Sequence, residues 1–283
     1  MADKEFDVII EPGRRKSFYW KDLWRFKGLF YYLAWRDVLV RYKQTAIGVL
    51  WSVIRPLLTI VVFTLVFNKL GNFQSDSNVP YAIMVCVGML PWQFFSSAFS
   101  ESANSLVANS NLLTKVYFPR LIVPASTVIV CLIDFLISFV ILLGLYVFYQ
   151  FTPDWRILLF PVFLLLATIT ALGFGFFIAA LNVKYRDFRY VIPFIVQFGL
   201  YISPVGFSSS VVYSNPDIPD ILKYIYALNP MAGVIDGFRW CMLGGTVPLH
   251  IPEFIASVVV SVLFLFIGIK YFRRMERTFA DVI

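Results

Sequence analysis

Six runs of apolar residues, each close to the length of a membrane-spanning helix, constrain this chain more than any other feature. A helix that crosses the hydrocarbon core of a bilayer needs about 20 predominantly apolar residues. The runs lie at about 45–67, 81–99, 121–149, 157–181, 191–207 and 251–271. With 59% hydrophobic and only 14% charged residues, the chain has too few polar residues to solvate a soluble domain of any size. We therefore predict an all-α integral membrane protein with six transmembrane helices.

The chain divides into a polar beginning, residues 1–44, and a six-span transmembrane domain, residues 45–283. The first part is predicted to be a cytoplasmic tail followed by an amphipathic interfacial helix over residues 22–43. Its apolar side would enter the headgroup boundary while its cations meet anionic membrane lipids. The residues that define this helix are Trp35, Arg36, Arg41 and Lys43.

Two further segments are predicted to be helical without crossing the bilayer. Residues 101–115 are polar but carry leucine and valine at near-helical spacing, which indicates a short amphipathic helix outside the bilayer. Residues 208–243 are rich in turn formers and then apolar, and Asn229-Pro230 interrupts the apolar part. That region is predicted to be a re-entrant or interfacial helical hairpin, whose free backbone groups must be covered by protein or water.

The distribution of Lys and Arg predicts the orientation of the chain. Of the 24 such residues, 20 fall in segments that lie inside if both termini are cytoplasmic. Only four fall outside: Lys69, Arg156, Lys223 and Arg239. This bias satisfies the positive-inside rule. Because the cations are spread through short loops and form no single basic face, we expect no nucleic-acid partner.

The sequence lacks the motifs of common enzymes. It has no G-x-x-x-x-G-K-[ST] motif, so we expect no ATP binding through a P-loop on this chain. The single histidine, His250, has no second histidine or cysteine cluster nearby, which argues against a metal site. No nucleophile motif or paired carboxylates are present either. We therefore expect no catalytic residue, cofactor or metal on this chain.

Two charged residues, Arg55 and Asp134, lie inside apolar runs. A charge in the membrane is costly and is a functional candidate by default. Each lies on the order of 15–20 Å from the cytoplasmic end of its span, at 1.5 Å per residue. Similar depth allows a structural ion pair between them. In the other interpretation, Arg55 attracts the phosphate or diphosphate headgroup of a substrate.

Aromatic residues recur at helical spacing in the fifth apolar run. Phe194, Phe198 and Tyr201 stand at positions i, i+4 and i+7, with Gln197 beside them. One interpretation is that these rings pack against other helices or face lipid. The other is that they line a pore, in which a polar sugar chain would slide over aromatic faces without being held tightly.

Five segments stand out along the chain: WRDVLVRYKQTAIGVLWSVIRP (35–56), GMLPWQFF (88–95), LTKVYFPRLIVP (113–124), LNVKYRDFRYVIPFIVQFGLYISPV (181–205) and ALNPMAGVIDGFR (227–239). In the same order, they resemble segments of the membrane subunit of ABC-2 polysaccharide exporters, which carry O-antigen, capsular polysaccharide or teichoic acid linked to a lipid. The resemblance extends from about residue 30 to the end, and the role of the first 30 residues stays open.

The resemblance implies a homodimer of six-span subunits in the bacterial cytoplasmic (inner) membrane, with ATP and Mg bound by two separate ATP-binding subunits on the cytoplasmic side. Residues 101–115 correspond to the coupling helix and residues 208–243 to periplasmic gate helices. The ATPase-coupling residues implied are Glu101, Leu112, Lys115, Lys184, Arg186 and Asp187. Spans 1 and 5 would line the channel, which places on the substrate path Arg55, Phe194, Gln197, Phe198 and Tyr201.

The function that the resemblance favours is ATP-driven export of a polysaccharide linked to undecaprenyl diphosphate, with O-antigen as the first choice. Export of teichoic acid or capsular polysaccharide is the first alternative, together with export of a drug or small lipid by a related permease. A membrane-embedded transferase that acts on lipid-linked sugars is the second alternative.

Overall fold

The computed structural model describes residues 19–43, 48–66, 79–276 and 279, and every regular element in those ranges is helical. The helices are α1 (Tyr19–Arg25), α2 (Lys27–Lys43), α3 (Gly48–Phe63), α4 (Tyr81–Ala108), α5 (Ser110–Lys115), α6 (Ile122–Phe148), α7 (Phe160–Lys184), α8 (Phe188–Ile202), α9 (Ser210–Tyr213), α10 (Asp220–Ala227), α11 (Pro230–Met242) and α12 (Ile251–Met275). A 3-10 helix, Trp155–Leu159, precedes α7. Most of the predicted tail (1–18), the predicted start of span 1 (45–47) and the loop after that span (67–78) lie outside the described residues.

Within the described ranges, four stretches are long and apolar enough to cross a membrane: α4, α6, Trp155–Lys184 and α12. They confirm the predicted all-α, multi-pass architecture, and α6 begins and ends within a residue of its predicted span. The two remaining predicted spans correspond to shorter apolar helices, Leu50–Val66 and Phe188–Ile202. At 1.5 Å per residue the latter is about 22 Å long, less than the ~30 Å hydrocarbon core.

Helix α4 forms the centre of the bundle. Helices α6, α7 and α11 pack around it, and α12 packs against α7 and α11. Side chains of α4 are buried from Ile83 near its start to Leu106 near its end, whereas α12 buries only a narrow stripe. Accordingly, α4 is the least apolar of the four long stretches, because a helix surrounded by protein does not need an apolar surface towards lipid.

The structure corrects the predicted start of the helix at 101–115. Helix α4 continues without a break to Ala108, and only the short α5 follows, after Asn109. The polar residues that suggested an exposed segment serve helix contacts instead: Ser102 is fully buried, and Asn182 of α7 donates to a backbone carbonyl of α4 at 3.0 Å. Small polar residues let helices approach closely and bond to each other, so they do not mark the edge of the bilayer here.

Helices α7 and α12 approach each other closely at two glycines. A Cβ atom on Gly173 would lie 2.7 Å from the Leu265 backbone nitrogen, and one on Gly268 would overlap the Gly173 carbonyl oxygen. One turn away, the hydroxyl groups of Thr170 and Ser261 lie 2.8 Å apart in a buried contact. Small residues of this kind allow the close backbone packing that holds membrane helices together.

Residues 203–209, which follow α8, are largely buried although they form no helix. Backbone groups in such a segment need internal partners. Arg239 of α11, itself fully buried, donates to the carbonyl oxygens of Val205, at 2.8 Å, and of Phe207. Tyr81 of α4 donates to the carbonyl oxygen between these two, also at 2.8 Å. Three consecutive carbonyl groups are thus satisfied by side chains.

Side chains also satisfy the turn between α10 and α11. Asn229 accepts a hydrogen bond from the Met231 N–H at 3.0 Å, and its amide donates to Ser203 at 3.0 Å. Ser257 of α12 donates to the Asn229 carbonyl at 3.1 Å. The turn is therefore bonded to protein groups on both sides, which is the condition for placing irregular backbone at membrane depth.

We predict that Gly268→Ala destabilises the protein, because the added methyl group would overlap the Gly173 carbonyl oxygen. Overpacking of this kind costs about 1–3 kcal/mol. Gly144→Ala in α6 is the matched control, since nothing lies within 4 Å of its Cβ position and alanine stabilises a helix by roughly 0.4–1 kcal/mol relative to glycine. The thermal unfolding midpoints of the two detergent-solubilised variants should shift in opposite directions. Equal shifts would contradict the prediction.

We predict that Arg239→Met opens the segment that follows α8. The substitution leaves the buried carbonyl of Val205 and the partly buried carbonyl of Phe207 without their donor, and a fully buried group left in this way costs roughly 1–3 kcal/mol. Arg239→Lys should lose less, because it keeps a charged donor but not the planar fork that reaches both carbonyls. Limited proteolysis of residues 203–209 in isolated membranes measures the effect. Equal protection of Arg239→Met and the wild type would refute it.

Candidate functional site

Helix α8 carries a row of exposed aromatic side chains. Phe194, Phe198 and Tyr201 are 58%, 49% and 68% exposed, and the first two ring centroids are 4.1 Å apart. Gln197 is exposed beside them, whereas Ile192 is buried on the other side of the helix, which packs against α4. The four residues share one face, as their spacing predicts. This face is aromatic, and the described part of the chain leaves it uncovered.

Helix α3 presents a second uncovered face, and it carries Arg55. The Arg55 side chain is exposed, and its backbone carbonyl accepts a hydrogen bond from Thr59 at 2.8 Å. Around it Leu58, Val61 and Val62 are each more than half exposed. Hydrocarbon alone solvates an arginine poorly. An arginine on such an apolar face therefore indicates a polar surrounding that the described residues do not supply.

Of the two interpretations of Arg55, the ion pair with Asp134 is wrong. The Asp134 carboxylate binds Arg41 of α2 instead, with 2.9 Å between the guanidinium and Oδ2. Tyr42 and Ser52 donate to Oδ1 at 2.5 Å and 3.0 Å. Burial, assisted by the Asp134 carboxylate, raises the pKa of Tyr42 to about 12. The phenol therefore stays protonated at neutral pH and remains a donor.

Helix α2 is also oriented differently from the predicted interfacial helix. Arg36 donates to the side-chain oxygen of Asn109 at 2.9 Å, and Arg41 binds the carboxylate on α6, so both cations face the protein. Trp35 is 52% exposed and Lys43 is exposed. The predicted division of α2 into an apolar side in lipid and a cationic side towards lipid headgroups is wrong. Cations that were predicted to meet lipid bind polar partners on α4 and α6 instead.

The segments predicted to contact an ATPase lie at one end of the bundle. Leu113 of α5 and Val183 of α7 belong to the same buried cluster, and Leu112 packs against it. Lys115 at the end of α5 is exposed, and so are Lys184, Arg186 and Asp187, which follow Val183 along the chain. Glu101 differs from them, since it lies two turns before the end of α4, 3.6 Å from the Arg41 guanidinium.

A contact between Tyr19 of α1 and Glu276, which follows α12, lies at the same end of the bundle and is not predicted from the sequence. Tyr19 donates to the Glu276 carboxylate at 3.4 Å, and the Arg120 backbone N–H donates to the same oxygen at 2.9 Å. The Arg120 guanidinium donates to the Glu276 carbonyl at 2.8 Å, and Arg273 lies over the Tyr19 ring. Burial raises the pKa of Glu276. No local pattern signals this contact, whose partners are 257 positions apart.

The single histidine lies in a packed region at the start of α12. The His250 ring is 5.0 Å from the Tyr213 ring, and Tyr213 in turn packs against Tyr226. In the part of the chain that the structure describes, no group of three or more His, Cys, Asp or Glu residues could hold a metal ion. The functional candidates are therefore surfaces and polar contacts.

Known proteins resemble this chain over most of its length. The ABC-2 type transporter family matches residues 28–243. The chain is 28% identical over 263 residues to the O-antigen export system permease protein RfbA of Myxococcus xanthus, with 93% of this chain and 98% of that protein covered. It is 26% identical to an RfbA of Klebsiella pneumoniae (88% and 92% covered) and 22% identical to the polysialic acid transport protein KpsM of Escherichia coli (85% and 91% covered).

The family match begins within α2 and ends just after α11. It includes the aromatic face of α8, the exposed arginine of α3 and the carboxylate on α6 that binds α2. It covers well over half of the chain. The chain therefore belongs to the ABC-2 type transporter family, in which it is a multi-pass membrane permease subunit and not the ATPase.

Proposed function

We propose that this chain is the permease of an ATP-driven exporter that moves a lipid-linked polysaccharide, in the first place O-antigen, across the bacterial inner membrane. The observation that carries the proposal is the uncovered aromatic row of α8, formed by Phe194, Phe198 and Tyr201 in a subunit of a transporter family. Sugar rings have apolar C–H faces that stack on aromatic rings. Because such stacking is weak and needs no fixed partner, successive sugars of a polymer can slide along it.

Two copies of the chain would enclose the path. Helices α3 and α8 both contact α4 and both leave an apolar face uncovered. Contiguous apolar surface of this kind marks an interaction site, and a two-fold dimer is the commonest way to cover it. The lipid diphosphate would be attracted by Arg55, which the structure leaves exposed on α3.

The energy would come from two ATP-binding subunits, which membership of an ABC transporter family implies as partners. We place them against the end formed by α5 and the loop after α7, where Lys115, Lys184, Arg186 and Asp187 are exposed. Closure of these subunits on ATP would displace α5 and change the relative position of α3 and α8 as rigid bodies.

In this proposal the chain crosses the membrane six times, with α3 and α8 as the two short crossings and both termini in the cytoplasm. The positive-inside bias supports this orientation. Since α8 is too short to cross alone, residues 203–209 and the α10–α11 hairpin complete the outer part of its crossing as a re-entrant gate. Their satisfied carbonyl groups support that placement.

The relatives favour O-antigen as the cargo. Two relatives with 28% and 26% identity carry O-antigen export in their names, whereas the relative named for polysialic acid transport is 22% identical. Capsular polysaccharide is the second candidate because of that last similarity.

Deletion of the gene tests the function directly. We expect loss of one surface polysaccharide and accumulation of its lipid-linked form inside the cell, and sugar analysis of this material separates O-antigen from capsule. Re-expression of the chain should restore export only together with its ATP-binding partner. Unchanged surface polysaccharides in the deletion strain, or export by the chain alone, would disprove the proposal.

Phe198→Ala should reduce export by about tenfold, the equivalent of ~1.4 kcal/mol, because it removes one ring from the path. ATP hydrolysis by the purified transporter should stay close to the wild-type rate. Phe266→Ala is the matched control, since Phe266 is 66% exposed on α12, away from the proposed path. Surface polysaccharide in the complemented deletion strain measures export. The same result for both variants would count against an aromatic path on α8.

Arg55→Gln should leave assembly with the ATP-binding subunit intact and abolish export. The reason is that Arg55 does not hold the Asp134 carboxylate, which is bound by Arg41, so its loss should not affect folding. Arg55→Lys keeps the positive charge and should retain partial export. Co-purification with the ATPase and surface polysaccharide are the two measurements. Loss of assembly in Arg55→Gln would show a structural role and contradict substrate attraction.

A further inference from the structure

Helix α2 is attached to the end of α4 by two polar contacts. The Arg36 guanidinium donates at 2.9 Å to the side chain of Asn109, the residue that joins α4 to α5. Two turns earlier on α4, the Glu101 carboxylate lies 3.6 Å from Arg41. Leu33 of α2 is buried in the cluster against which α5 also packs. A displacement of α5 is therefore connected to α2 through Asn109, at the start of α5, and through this shared cluster.

The C-terminal end of α2 meets α3 and α6 at one carboxylate. Asp134 of α6 accepts from Arg41 and Tyr42 of α2 and from Ser52 of α3. A carboxylate offers about four lone-pair positions, so three donors occupy most of them. The Asp134 side chain is only 22% exposed, and charge-assisted hydrogen bonds are strong when partly shielded from water. The group thus fixes α2 and the beginning of α3 to the same point of α6.

Helix α3 is weakened at Pro56, one turn after Ser52. Pro56 lies inside α3 and has no N–H, so the carbonyl of Ser52, four residues earlier, loses its helical donor. The first turns of α3, which carry Ser52 and Arg55, are therefore less firmly joined to the rest of the helix than an uninterrupted ladder would make them. These turns can follow a movement of α2 without moving the whole of α3.

We propose that Asp134 is the positioning residue through which α2 passes the movement of α5 to the first turns of α3, and thereby to Arg55. The inference rests on the proposed function, because it requires an ATP-driven partner that displaces α5. Asp134 does not touch the cargo. Because its carboxylate binds Arg41 and Tyr42 as well as Ser52, the first turns of α3 move when α2 moves. ATP hydrolysis is thereby coupled to opening of the path.

The test uses the chain purified with its ATP-binding partner and reconstituted into lipid vesicles. Asp134→Asn keeps the size and an acceptor oxygen for Tyr42 and Ser52 but loses the charge that binds Arg41. We expect normal assembly and ATP hydrolysis within about twofold of wild type, while polymer transported per ATP falls about tenfold. Arg41→Gln should cause the same fall, and the double variant should add little, because both substitutions break one contact.

Asp154→Asn is the matched control. Asp154 also pairs with an arginine, Arg156 at 3.5 Å, but in the loop before α7, and asparagine can accept the Trp155 N–H as aspartate does. It should transport as well as the wild type. If Asp134→Asn does not assemble, Tyr42→Phe decides, because it removes a single donor and leaves the ion pair; its transport per ATP should fall about threefold.

Three results would overturn the inference. They are equal transport per ATP by Asp134→Asn and Asp154→Asn, additive effects of the Asp134 and Arg41 substitutions, and, in whichever of Asp134→Asn and Tyr42→Phe assembles, a loss of transport no greater than the loss of assembled complex. A purely structural role, in which Asp134 only holds the helices together, would give the last of these results. A wild-type complex that neither hydrolyses ATP nor transports polymer would contradict the proposed function instead, so the two failures are distinguishable.

Discussion

The irregular backbone that follows α8 depends on the guanidinium group of Arg239. Helix α8 ends after 15 residues, and the backbone that follows would be unsatisfied in an apolar environment. Arg239 and Tyr81 bond to three consecutive carbonyl groups of that backbone. The chain can therefore leave α8 without a continuous helix, form α9, α10 and α11, and return to α12. The turn at Asn229 is held in the same way, by side chains of neighbouring elements.

Among the four long stretches, hydropathy predicted the bounds of α6 best and those of α4 worst. Helix α6 is apolar nearly throughout, and its bounds agree with the prediction to within a residue. The span predicted at 81–99 ends before α4 does, at Ala108, because the polar run that begins at Glu101 resembles a segment outside the bilayer. In the structure Ser102 and Ser105 are buried, and a helix enclosed by protein tolerates polar groups that a lipid-facing helix does not. Composition alone cannot separate these two environments.

In the candidate site, features that lie within one helix can be predicted from the sequence, whereas contacts between helices cannot. The aromatic face of α8 follows from spacing within one helix, so the sequence contains all the information required to predict it. The partner of Asp134 depends on which face α2 turns towards α6 and how far along α6 it packs, and helical periodicity specifies neither. Arg41 and Arg55 were equally reasonable partners by residue type, and only the packing of α2 against α6 distinguishes them. The contact of Tyr19 with Glu276 escapes a local analysis for the same reason.

The position of Arg239 along the chain also bears on how the protein is made. Its two acceptor carbonyls precede it by 34 and 32 residues, so they are synthesised, and leave the ribosome, before the arginine does. An arginine at the centre of a nascent membrane helix is disfavoured by about 2.5–3.5 kcal/mol on insertion scales. Here the acceptors reach the membrane before the cation does. The growing polypeptide can thus offer this charge protein acceptors as it is inserted, so that lipid alone need not accommodate it.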